Sequence, residues 1–135
     1  MSNNLEIKMQ WFGAEVEKKI LNGAMKGLMK GAQVVVGEAQ KNCPVKSGTL
    51  QRSITATQGG LPNAEEIYSQ AKTSSVPVQN ESKGQEIAAY VSANTPYARK
   101  QHEEHSSKAK FLERGLQTVG SKIPEMVEKE IKKAL

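Results

Sequence analysis

From Gly13 to Asn42 the apolar residues fall at Ile20, Leu21, Ala24, Met25, Leu28, Met29, Ala32, Val35, Val36 and Ala39. Steps of one and three gather them into one stripe of a 3.6-residue repeat, which predicts a long amphipathic helix. Lys18, Lys19, Lys26, Lys30 and Lys41 fall largely off that stripe. Pro44 ends it, because the residue before a proline is pushed out of the helical region. Ile54 to Gln58 alternates apolar and polar positions and starts a strand, which Gly59-Gly60 and Pro62-Asn63 close. Glu86 to Asn94 is the clearest strand, with Ile87, Ala89, Val91 and Ala93 on one side. A second helix begins near Lys108 and carries Phe111, Leu112, Leu116, Val119, Ile123, Met126, Val127, Ile131 and Leu135. Pro124 inside that run should kink or divide it, with Ser121 as the new cap.

The middle, Leu61 to Glu86, is polar and weakly patterned. Ile67, Ser69 and Ala71 fit one short strand, and Asn80 to Gln85 has turn composition. Lys72 to Gln85 reads as a long exposed loop, either functional or disordered. Within it, Val76-Pro77-Val78 forms a short, stiff apolar island. It suits docking on a neighbouring subunit or a sheet edge, or else it belongs to a plain solvated hairpin. The order of elements predicts an α+β fold in one domain over 1–135: a long N-terminal helix, a small antiparallel sheet with a long loop, and a C-terminal helix.

Gly23, Gly27 and Gly31 recur every four residues along the first helix. Each costs about 1 kcal/mol relative to alanine in a helix interior, so the row needs a reason. Spacing of four lets another backbone approach closely. The candidates are the fold's own sheet or a neighbouring subunit.

Composition narrows the chemistry. All 14 acidic residues of this 135-residue chain are glutamates, which excludes aspartate-based catalysis and Asp-rich calcium loops. Aromatic residues are few, so the core rests on Ala, Val, Ile, Leu and Met and gains from partner subunits. The net charge of +5 is spread through interleaved Lys and Glu, the pattern of solvated helix faces rather than of a nucleic-acid-binding arm. No apolar run reaches a membrane span, no secretory signal opens the chain, and one cysteine leaves no internal disulfide. His102-Glu103-Glu104-His105 has its histidines three apart rather than the four of the zinc-protease helix and no evident third ligand, so both read as exposed. Cys43 reads as a small buried thiol at a helix end. Without a phosphate loop or a nucleophile elbow, the chain reads as a non-enzyme that needs no cofactor or metal.

Three segments carry a resemblance. Cys43-Pro44-Val45-Lys46-Ser47-Gly48-Thr49-Leu50-Gln51-Arg52-Ser53-Ile54 is similar to the Pro-x-x-Thr/Ser-Gly-x-Leu-x-x-Ser-Ile hallmark of the tail-completion, or head–tail joining, family of long-tailed bacteriophages. Pro96-Tyr97-Ala98 followed by Gln101-His102-Glu103 resembles its Tyr-Ala-x-x-x-Glu step. Lys110-Phe111-Leu112-Glu113-Arg114-Gly115-Leu116 is similar to its Pro-Phe-Leu-x-x-Ala-Leu helix start. Lys110 and Gly115 depart from the usual Pro and Ala, and Glu104-His105-Ser106 stands where Phe-Gly-Thr is common. Pro44, Gly48, Leu50, Ile54, Phe111 and Leu112 make sense as fold-forming residues: a helix stop, a tight reversal and apolar anchors.

The resemblance implies a structural virion protein at the head–tail junction, made in the host cytoplasm. It would form a ring, usually of six copies, between the major tail tube protein and the head connector or stopper. DNA would pass through with transient, non-specific contact. Two alternatives stay open: a head-side connector or minor capsid component, and a small basic nucleic-acid-binding domain.

Overall fold

The computed structural model describes the backbone of residues 2–45, 48–76, 79–82, 88–105 and 107–135, and the side chains of those from 15 onward except 79–82. Helix α1 runs Ser2–Asn42, so the helix predicted from Gly13 extends back almost to the chain start. It ends where expected, before Pro44, and the Asn42 side chain donates to the Glu38 carbonyl at 2.8 Å.

A single turn, α2 (Thr49–Arg52), follows. Gly48 opens it at φ +83°, a left-handed conformation that a side chain resists. Gly48 holds the cap position itself and has no side chain to cap with. Gln40 and Gln51 each donate from Nε2 to the other's carbonyl, at 3.1 and 3.0 Å, and so tie the end of α1 to α2.

Strand β1 (Ile54–Gln58) is the middle of a three-stranded sheet ordered β2-β1-β3. It pairs antiparallel with β3 (Ala89–Ala93), in register from Ile54–Ala93 to Gln58–Ala89. Strand β2 (Gln79–Ser82) joins the other edge in parallel, so strand structure replaces part of the predicted turn over Asn80 to Gln85. Ile87, expected in the β3 strand, lies outside the described residues. Being central and covered by α1, β1 buries residues on both faces, including Thr55 and Thr57.

The short strand expected at Ile67, Ser69 and Ala71 is instead helix α3 (Ala64–Ala71). The Asn63 side chain caps it by accepting from the Glu65 and Glu66 amides at 3.1 and 3.2 Å. Ile67 and Ala71 are buried four residues apart, a helical step that mimics alternation when only three apolar positions are read.

Helix α4 (Ala98–Glu104) leads to α5 (Phe111–Val119), a 3₁₀ turn (Gly120–Lys122) and α6 (Ile123–Ala134). Pro124 therefore divides the C-terminal helix and sits in the first turn of α6, where no intrahelical amide bond is lost. Ser121 lies within the 3₁₀ turn; Lys122 holds the cap position and makes no side-chain bond.

Both α5 and α6 pack along α1. A Cβ at Gly23 would stand 2.8 Å from the Ile131 Cα, one at Gly27 2.4 Å from the Val127 Cα, and one at Gly31 2.9 Å from Ile123 Cγ1. The glycine row thus admits the backbone of α6, not the sheet and not a second subunit. Gly115 does the same for α5: its Cβ would lie 2.9 Å from the Ala39 amide nitrogen. Around these contacts sit two apolar clusters: Ala39, Cys43, Leu50, Ile54, Ala98 and Phe111, and then Met29, Ala32 and Ala56. Among the described residues no helix is long and apolar enough to cross a membrane.

Candidate interaction surface

The structure brings the first two sequence motifs together. Pro44, Val45, Gly48 and Leu50 form one wall of an open cleft of about 590 Å³, and Tyr97, Gln101, His105 and Lys108 form the other. Val45 and Tyr97 are exposed at its mouth, while Leu50 closes its floor. Beneath the motifs lie Ile54 and Phe111, both fully buried, with Leu112 packed half-buried against them.

A buried polar knot holds the two motifs in place. The Ser53 hydroxyl donates to the Leu50 carbonyl at 2.7 Å and accepts from the Asn94 amide at 3.1 Å. The Asn94 side chain donates in turn to the Ser53 carbonyl at 2.9 Å. Sequence reading singled out neither partner as a pair. The available signal was a serine and an asparagine flanking two strands that had to meet.

The histidines do separate jobs. His102 stacks edge-on against Phe111 at 5.0 Å, and its Nε2 is buried without a hydrogen-bond partner among the described residues. His105 Nδ1 accepts from the Ser107 and Lys108 amides, at 3.2 and 2.9 Å, and caps the turn into α5. Glu103 pairs with Lys110, which holds the carboxyl below its ordinary value and raises the lysine. Lys110 adopts φ +61°, a conformation closed to proline, so its departure from the usual proline changes the backbone there as well. Among the described residues no group of three or more His, Cys, Asp or Glu could hold a metal ion.

Cys43 is fully buried, and burial pushes its thiol up to about 11 against a smaller opposing pull from Lys108. At neutral pH it is a protonated, inert thiol. On the α1–α6 seam, Glu130 is buried and paired with Lys30, with Lys133 at 3.4 Å. The Lys30 hydrogen bond holds its carboxyl below the ordinary value.

A second, more apolar groove of about 380 Å³ runs between α1, β3 (an edge strand among the described residues) and α5. Leu28, Val91, Leu112 and Ile123 line it, and Leu116 stands 54% exposed at its rim. In the middle loop, Val76 is half-buried; Pro77 and Val78 lie outside the described residues.

These features belong to a scaffold with surfaces for partners. No curated protein and no solved structure matches the chain. A family described as "Bacteriophage HK97-gp10, putative tail-component" matches residues 5–115, from the first turns of α1 into α5. The chain belongs to this HK97-gp10-like family of bacteriophage tail components, structural proteins of the virion that work in contact with other virion proteins.

Proposed function

We propose that this tail component completes the head-proximal end of the tail and joins it to the head. Copies of the chain, six by resemblance, form a ring between the major tail tube protein and the head connector or stopper. DNA crosses the ring with transient, non-specific contact, and the work is structural rather than catalytic. The observation that carries the reading is the family match over 5–115, which contains the tail-completion hallmark at Pro44–Ile54 and the Tyr97–Glu103 step. Their meeting at one cleft supports it.

The whole chain acts as one unit of that ring. Pro44, Gly48, Leu50, Ile54, Phe111 and Leu112 build the fold, and partner contact falls on what they present. Val76-Pro77-Val78 is retained as a contact segment. Electron microscopy of particles made without this gene tests the reading. DNA-filled heads beside finished but unjoined tails are expected. Empty, unclosed heads would move the protein to the head side and overturn it.

A further inference from the structure

Charge that the sequence spreads evenly is gathered by the fold. Lys26 and Lys30 stand one turn apart on α1, and Lys129 and Lys133 one turn apart on α6. Gly23 and Gly27 bring the two helices into backbone contact, so these four lysines border one seam. Lys30, Lys129 and Lys133 line one shallow depression there, of about 350 Å³, and Lys26 and Lys133 line a second. A wider depression beside them joins Lys26 and Lys30 to Asn22, Gln33 and Gln58. Glu130 is the single acid in all three linings. Its carboxylate is buried beneath Lys30 and Lys133, whose side chains stand 55% and 61% exposed. The face therefore sets four lysines against one sunken carboxylate, a net of three positive charges on a chain of +5. Lys26 and Lys129 are exposed and take no part in the Glu130 pairs. Toward the N-terminus the same side of α1 continues as Lys19 and Glu15, which offset each other. Glu128 of α6 is matched by Lys132 at 3.0 Å.

We infer that this α1–α6 face holds the phosphate backbone of duplex DNA and turns toward the bore of the proposed ring, on whose DNA passage the inference rests. The chemistry of the face selects that occupant. Lysine is a compact charge on a flexible stem and meets phosphates without reading sequence, and the amides of Asn22, Gln33 and Gln58 add neutral donors of the same use. No aromatic side chain stands in the three linings, so the bases of a single strand would find nothing to stack on. Arginine is absent from them too, and lysine is depleted in protein interfaces, so an acidic protein fits the face less well than a polyphosphate. Contact confined to phosphates is the same at every step of a duplex and permits sliding, as a passing genome requires. The lysines were interleaved with glutamate in each helix taken alone; only the packing of α6 on α1 puts them on one side.

The test is fluorescence anisotropy of a labelled mixed-sequence DNA duplex titrated with the purified full chain, from low to rising salt. The face variant is Lys26→Gln with Lys129→Gln. The control is Lys72→Gln with Lys100→Gln, two exposed lysines on α3 and α4 whose loss lowers the net charge equally. Thermal melts of both variants should match the parent, since all four lysines are exposed. The parent should bind with an affinity that falls steeply with salt. The face variant should lose roughly tenfold at low salt, and its salt slope should shrink by about 2. The control should stay within about twofold of the parent, with its slope unchanged. A parent that does not bind at low salt overturns the inference. So do equal losses in both variants, which would mean attraction by net charge alone. Undiminished binding by the face variant overturns it as well and leaves the face to an acidic protein. A ring at the tail end with this face turned away from the bore would refute the inference but not the ring. Selective loss in the face variant, with no ring in the particle, would refute the ring but not the DNA-binding face.

Discussion

The two halves of α1 share one helical face and use it in opposite ways. From Gly23 to Gly31 the face is cut down to glycine, and the backbone of α6 lies against Gly23 and Gly27 closer than a side chain would permit. From Ser2 to Asn22 the same register carries Leu5, Met9, Phe12, Val16 and Ile20. Where the chain supplies its own partner, the surface is carved to fit a backbone. Where none of the described residues covers it, at Val16 and Ile20, the row keeps large apolar side chains that stand exposed. Residue size along one row thus tracks whether the fold packs a backbone against it.

The largest effect should come from the anchor of the covered half. Phe111→Ala empties the fully buried site shared with Ala39, Cys43, Leu50 and Ile54 and should cost about 3–5 kcal/mol. A thermal melt close to that of the parent would contradict the core placement.

The glycine row offers a test of sign. Helix propensity alone makes Gly27→Ala stabilising by about 1 kcal/mol. The Cβ would stand 2.4 Å from the Val127 Cα, so α6 must shift, and we expect a net loss of about 1–3 kcal/mol. Gly37, on the same helix, has nothing within 4 Å of an added Cβ. Gly37→Ala should therefore stabilise by up to about 1 kcal/mol. Denaturant titration of the pair reads both signs; equal shifts would end the distinction between the two glycines.

Acid should loosen the covered half first at Glu130. Its carboxyl titrates below the ordinary 4.5 in the folded chain, because Lys30 donates to it. The stabilisation is therefore fully present above that ordinary value and fades as pH falls through the lowered one. Glu130→Gln should lose less stability than the parent on acidification, and parallel pH profiles would show that the pair contributes nothing.

In the uncovered half the effect on the monomer should be smallest. Val16→Ser with Ile20→Ser should change stability by no more than about 0.5 kcal/mol. The same double change should impair head–tail joining, read as phage yield. A large stability loss would mean that the face is covered within the chain.

Much of this architecture was legible in the sequence, for reasons that can be named. Ten apolar residues from Ile20 to Ala39 on one period leave little choice but a helix, and Pro44 can only end it. The pairing of β1 with β3 follows from two alternating runs. What failed were one local cap and features decided by partners distant in sequence. Ile67 and Ala71 fit a strand or a helix equally well until the Asn63 cap is seen. The glycine row announced a close backbone approach, but spacing cannot say whose backbone; only the packing of Val127 and Ile131 does. Of the candidate surface, its Pro44–Leu50 wall was marked by motif. The Ser53–Asn94 knot and the apolar groove were not, because the fold brings together residues 53 and 94 in one and segments of α1, β3 and α5 in the other.

The most direct test is a cryo-electron-microscopy map of the head-proximal tail end in intact particles. The account predicts a ring of copies of this chain there. A tail end without this chain would contradict it.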